Sequence, residues 1–157
     1  MKTILLSLGK TDNNALAQLI NEYRKRINFY IPFETEIVPD IKNAKNLSEK
    51  EQKTKEGVQI LKALQPPDYV ILLDDKGKQF SSIEFAQFIE KKTHSVPKRL
   101  VFVVGGAYGF SEEVYARANE KISLSKMTFT HQMVRLVFVE QLYRAMTILN
   151  NEPYHHE

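Results

Sequence analysis

Leu100-Val101-Phe102-Val103-Val104-Gly105-Gly106-Ala107-Tyr108-Gly109 is five apolar residues in a row, followed by three glycines in five positions. An uninterrupted apolar run of this length reads as a strand buried on both faces, as in a parallel sheet covered by helices. Glycines so close together mean that the backbone turns sharply or lies against something. Ser111 then stands as an N-cap, with Glu112 and Glu113 placed favourably against the helix dipole. The unit is strand, glycine-rich loop, helix. Its spacing is not that of a dinucleotide loop, because the third position of G-x-G-x-x-G is Ala107, and it falls on a late strand. Two readings stay open: a tight turn, or a ligand approaching bare backbone at a strand's carboxyl end, where open α/β sheets bind ligands.

The same alternation extends outward in both directions. Ile4 to Leu8, closed by Gly9, reads as a buried strand. Thr11, Asp12 and Asn13 supply caps for a helix carrying Leu16, Leu19, Ile20, Tyr23 and Ile27 on one face. Phe33 to Val38 alternates as a second strand. Ser48 with Glu51 is a capping box opening a helix to about Leu64, stopped by Pro66-Pro67. Tyr69 to Leu73 is a third strand, and Ser81 with Glu84 a second capping box before a helix to about Lys92. Ile122 to Leu124 reads as a short fifth strand, and a long helix runs from about Thr130 to Leu149. The expectation is an α/β fold, a mainly parallel sheet with helices on both faces.

With 157 residues the chain is expected to form a single domain, 1–157. It has no cysteine, which excludes disulfides, a catalytic thiol and thiolate metal sites. No apolar run reaches the length of a membrane span and the N-terminus lacks a signal-peptide cleavage site, so a cytoplasmic protein is expected. The net charge of +3 is mildly basic. Lys42, Lys45, Lys50, Lys53 and Lys55 form the most charge-rich stretch, read either as a solvated face or as a surface for an RNA backbone.

Gly9-Lys10-Thr11 is not a P-loop, since Ile4 stands where that motif needs glycine. Asp74-Asp75-Lys76-Gly77 reads as a turn rather than a metal site. No metal is expected: His155 and His156 are adjacent and nothing completes a ligand set. His131 opens the last helix, with Arg135 one turn on. That helix is apolar on most of its surface, which predicts a homodimer formed through it. The tail Pro153-Tyr154-His155-His156 is aromatic and titratable, suited to stacking on a base.

Leu73-Asp74, the Gly105-Gly106 loop ending in Gly109, the run Ser123-Leu124-Ser125-Lys126-Met127-Thr128, then His131, Val134-Arg135, Glu140-Gln141-Leu142-Tyr143-Arg144-Ala145 and Pro153-Tyr154-His155 together resemble the ribosomal RNA large subunit methyltransferase H family. The resemblance covers the whole chain. It implies the SPOUT fold, an α/β domain with a C-terminal trefoil knot, an exception to the rule that chains do not thread loops. It implies a homodimeric enzyme that moves a methyl group from S-adenosyl-L-methionine to N3 of a pseudouridine in the large-subunit (23S) rRNA of the assembled ribosome. Donor contacts would fall on Leu73, Gly105, Leu124, Ser125, Lys126, Met127, Thr128 and Phe129, with a branched side chain at 105 excluding the donor. For catalysis the resemblance points to Arg144, Tyr154 and His155, with His131 and Glu140 as further candidate bases and Arg135 as a further candidate to stabilise an anion. His156 departs from many relatives, which carry arginine there. A non-catalytic nucleotide- or RNA-binding module of the same fold, or a methyltransferase for another RNA, is the alternative.

Overall fold

A computed structural model describes residues 1–157. Its strands are β1 (Lys2–Leu8), β2 (Phe33–Val38), β3 (Tyr69–Gln79), β4 (Arg99–Val104) and β5 (Glu120–Ser123), and they form one all-parallel sheet in the order β2-β1-β4-β3-β5. The helices are α1 (Asn14–Asn28), α2 (Glu49–Ala63), α3 (Ser82–Ser95), α4 (Glu112–Arg117) and α5 (Met133–Leu149).

Side chains alternate across the sheet and build two cores. Leu5, Ile71, Leu100, Phe102 and Val104 pack on one face with residues of α1, α3 and α5. Ile4, Leu6, Val70, Leu72, Val101 and Val103 pack on the other with residues of α2 and α4. Helices therefore cover both faces. This explains why β3 and β4 are apolar without interruption at Val70–Leu72 and Leu100–Val103, all fully buried.

The caps read from sequence form as written. Asn13 accepts from Leu16 N, Ser48 and Ser81 complete reciprocal capping boxes with Glu51 and Glu84, and Ser111 accepts from Val114 N.

β1 and β5 each begin two residues earlier than expected, at Lys2 and Glu120, β5 ends at Ser123 rather than Leu124, and three larger differences follow. β3 does not end at Leu73. Asp74-Asp75-Lys76-Gly77 is not a terminating turn but an irregularity inside the strand, where the pairing with β5 shifts from Leu73↔Ile122 to Lys78↔Ile122. Asp74 Oδ1 accepts from Lys76 N there, the local bond expected of a turn-forming aspartate. Gly77 lets β5 close in: a Cβ at that position would stand 2.6 Å from the Ile122 backbone. α3 runs past Lys92 to Ser95 and takes in His94, and α5 starts at Met133 rather than Thr130. Thr130 Oγ1 instead accepts from Met133 N, so His131 lies in the turn that leads into the helix. A short 3₁₀ turn, Ala44–Asn46, also interrupts the lysine-rich stretch.

No helix is long and apolar enough to cross a membrane.

Candidate functional site

Parallel pairing sets the ends of β3, β4 and β5 together. Leu73 is in register with Val104 on one side and with Ile122 on the other. The chain leaves these strands through the Asp74–Gly77 irregularity, the Gly105–Gly109 loop and the segment Leu124–Thr130. Those three segments enclose a cleft of about 740 Å³, within the ordinary range for a small-molecule site. Leu73, Gly105, Leu124, Ser125, Met127, Thr128 and Phe129 line it, and Lys126 does not; Lys126 is exposed. His131 lines the same cleft, beside Val134 of α5.

The glycines are explained by what stands behind them. A Cβ on Gly105 would lie 2.9 Å from the ring of Phe110, and one on Gly106 would lie 2.6 Å from the carboxylate of Glu56. Phe110 is 5% exposed, so it has little room to retreat. A branched residue at 105 would thus first displace Phe110 and the loop, rather than stand directly in the cleft. Gly109 N donates to Gly106 O at 3.2 Å and closes the loop. The opposite wall is held by serine hydroxyls: Ser123 Oγ donates to Ser125 O, and Ser125 Oγ accepts from Met127 N.

The cleft is mixed in character, with Leu73, Leu124 and Phe129 as apolar wall and Asp74, Asp75 and Lys76 at one side. Asp74 Oδ2 accepts from Tyr115 Oη. Burial pushes the Asp74 carboxyl up, but hydrogen bonds from Tyr115 and Lys76 outweigh it, so Asp74 titrates below its ordinary value. Burial and the Asp74 bond both push the Tyr115 phenol up. Sequence reasoning assigned no role to Tyr115 or Glu56. Tyr115 sits on α4, and only the strand order brings that helix beside Asp74.

Four other candidates form a second cluster. Arg144 Nη2 donates to Glu140 Oε1 at 2.6 Å, one turn earlier on α5, and Arg144 Nη1 lies 3.2 Å from His155 Nδ1. Arginine only donates, so Nδ1 accepts and the ring proton belongs on Nε2. Tyr154 Oη donates to Glu140 Oε1 at 3.0 Å, and the Tyr154 ring lies 4.7 Å from the Arg144 guanidinium carbon. Hydrogen bonding to Glu140 holds Arg144 above its ordinary value. Burial, with Tyr23 and Glu140, raises the Tyr154 phenol well above its ordinary value.

The two clusters are apart within one protomer. None of Glu140, Arg144, Tyr154 and His155 lines the cleft. Arg144 is ten residues from Val134 on α5, about 15 Å along the axis.

Arg135 belongs to neither group. It is 2% exposed and donates to the carbonyls of Leu8, Gly9 and His131, with Thr11 Oγ1 at 3.3 Å. Its position makes it a clamp between the end of β1 and the start of α5. On its open side α5 keeps Met133, Leu136, Val137, Tyr143 and Ile148 only partly covered or exposed. No group of three or more His, Asp or Glu side chains is arranged to hold a metal ion.

Comparison with known proteins bears on this arrangement. Residues 1–155 match the family described as "Predicted SPOUT methyltransferase". The chain is 68% identical to a ribosomal RNA large subunit methyltransferase H from Parabacteroides distasonis, 60% identical to one from Phocaeicola vulgatus and 59% identical to one from Flavobacterium johnsoniae. Each similarity extends over 157 residues and the full length of both chains. A family model matching residues 1–155 and identities of 59–68% over the full length make the chain a member of the ribosomal RNA large subunit methyltransferase H family of SPOUT methyltransferases.

Proposed function

We propose that the protein methylates N3 of a pseudouridine in the large-subunit rRNA of the assembled ribosome, using S-adenosyl-L-methionine and acting as a homodimer. The observation that carries this reading is the cleft itself. Bare backbone at Gly105 and Gly106 faces an apolar wall of Leu73, Leu124 and Phe129, with carboxylates and hydroxyls at its margins. An adenosine needs a flat apolar slot and polar partners for its ribose, and these residues suit it. The relatives' names supply the RNA class. Family membership carries the C-terminal trefoil knot with it.

The donor, when bound, supplies an electrophilic methyl carbon on a positively charged sulfur. The protein's part is position and charge. The attacking N3 bears a proton, which must leave before or during transfer; His131 in the cleft and Glu140 in the tail cluster are the groups available to take it, and His155 joins them only once Arg144 leaves its Nδ1, since Nε2 already carries the ring proton. Arg144 is the cation suited to the anion that deprotonation leaves on the base. Tyr154, protonated through the neutral range, serves as a donor and a stacking surface rather than as a base.

Arg144 stands about 15 Å along α5 from the cleft residue Val134, and no residue of its cluster lines the cleft of its own protomer. Packing two copies of α5 through the open stripe of Met133, Leu136 and Val137 would set each tail beside the other cleft. A surface composed by two subunits on a preassembled particle also reconciles RNA binding with a charge of only +3.

The deciding experiment is methyl transfer from labelled S-adenosyl-L-methionine to ribosomes from cells lacking this gene, with naked rRNA alongside. Label on a pseudouridine of the large subunit, in assembled particles only, is the expected outcome. Label elsewhere means another RNA. Donor binding without transfer to either substrate means a binding module.

A further inference from the structure

Glu56 is a charged residue that α2 buries without compensating it. It is 5% exposed, its Oε1 has no hydrogen-bond partner, and its Oε2 has only the amide of Gln52, at 3.3 Å. Burying a carboxylate with an empty lone pair is costly, and an apolar residue of similar volume would fill the place at less expense. Its location is specific. The carboxylate lies flat against Gly106, so that a Cβ there would be 2.6 and 2.8 Å from its two oxygens. The next residue, Gly57, packs without a side chain against Ser111 at the other end of the same loop. Gly106 lines the cleft on one side and covers Glu56 on the other. The backbone of Gly106 therefore stands between this buried carboxylate and the cleft.

We propose that Glu56 is the residue that makes the cleft prefer a positively charged ligand to its neutral counterpart, here the sulfonium of the intact methyl donor over the uncharged thioether left after transfer. The inference rests on the donor assigned under Proposed function. Across a single layer of backbone a unit charge changes affinity on the order of tenfold or more. The neutral product gains nothing from it, so the same residue that draws the donor in lets the spent cofactor go. Other charges face the same region: Asp40 raises and His131 lowers the Glu56 carboxyl, while Asp74, Asp75, Lys76 and His131 line the cleft. Burial is the larger influence and holds Glu56 above the usual carboxylate range, so the preference fades as pH falls through its titration.

The test is calorimetric binding of S-adenosylmethionine and of S-adenosylhomocysteine to the full chain at pH 8, for wild type, Glu56→Gln and Glu56→Met. The glutamine keeps the shape; the methionine removes the charge without leaving an amide to satisfy, and stands in if the glutamine variant does not fold. Both are expected to shift the ratio of the two dissociation constants by about tenfold toward the neutral compound, chiefly through weaker binding of the cation. Equal weakening of both compounds would mean that Glu56 only props the loop, and would overturn the proposal. So would two unchanged affinities, which would leave any preference to Asp74 and Asp75. Wild-type protein that binds neither compound would overturn the donor assignment itself, and this inference with it.

Discussion

Leu73 and Val104 lie side by side in parallel register at the carboxyl ends of β3 and β4. That pairing turns two loops distant in sequence into facing walls of one cleft. Gly105 follows directly from Val104, so its packing determines how near the loop stands to a ligand. Gly105→Val should abolish donor binding, with affinity for S-adenosyl-L-methionine falling at least a hundredfold by calorimetry. The route is indirect: the new side chain meets Phe110, 2.9 Å from where its Cβ would lie, and the loop must shift. A structure of the variant should show Phe110 and residues 106–109 displaced. Binding equal to wild type would mean that the donor does not approach this loop.

Asp74 depends on Tyr115. The Asp74 carboxyl is pushed up by burial and brought below its ordinary value by the Tyr115 and Lys76 hydrogen bonds. A carboxyl whose folded value is depressed contributes stability above its unfolded value, and that contribution is lost as pH falls through the folded value. Tyr115→Phe removes one of the two bonds, so Asp74 should titrate higher and the acid limb of stability should move to higher pH. Carboxyl-carbon NMR titration of Asp74 reads this directly. An unmoved Asp74 titration would show that the bond contributes nothing in solution.

The strands, the caps and most of the cleft wall were legible in the sequence because each is written locally. Apolar runs, capping boxes and clustered glycines need no partner to be recognised. What stayed hidden depends on which strands are neighbours. The extension of β3 through Asp74–Gly77 is invisible without β5 alongside, since those four residues carry the composition of a turn. Tyr115 becomes a cleft residue only through the strand order. Glu56 closes a lysine- and glutamate-rich stretch whose composition suggests solvent, yet α2 packs it inward. Arg135 was readable as a helix residue near His131, but its bonds to Leu8 and Gly9 span more than a hundred positions of sequence.

Tyr154 offers a sharper test of the tail. Burial, Tyr23 and Glu140 raise its phenol, so the proton is retained throughout the neutral range. A group with a raised folded value contributes stability at lower pH and loses it only as pH rises through that value, here in strong alkali. Tyr154→Phe should therefore lower methyl transfer about tenfold, by loss of one hydrogen bond to Glu140, and leave the pH–rate profile between pH 6 and 9 unchanged in shape. A profile that lost one of its limbs would make Tyr154 the base.

Arg144 should separate chemistry from donor binding. It stands about 15 Å along α5 from the cleft residue Val134 and holds Glu140 and His155 in place. Arg144→Ala should leave the affinity for S-adenosyl-L-methionine within about twofold of wild type while transfer falls by a factor of about a hundred or more, the usual cost of losing a group that stabilises developing charge. Arg144→Lys should recover little, since lysine cannot contact Glu140 and His155 with a planar fork. A parallel loss of donor affinity would place Arg144 in the donor site instead.

Mixed dimers distinguish a tail that serves its own cleft from one that serves its neighbour's. One subunit carries Gly105→Val and keeps its tail; the other ends before Tyr154 and keeps its cleft. Alone, each should be inactive. Mixed at equal amounts and allowed to exchange, half the dimers pair one of each kind. If the tail works across the dimer, each such pair has one complete site, made of the intact cleft of the truncated subunit and the intact tail of its partner. About a quarter of wild-type activity should then return, since half the dimers hold half the sites. If the tail serves its own cleft, no pairing completes a site and activity stays at zero. The separation of Arg144 from Val134 along one helix, and the open stripe of Met133, Leu136 and Val137 beside it, make the quarter the expected result.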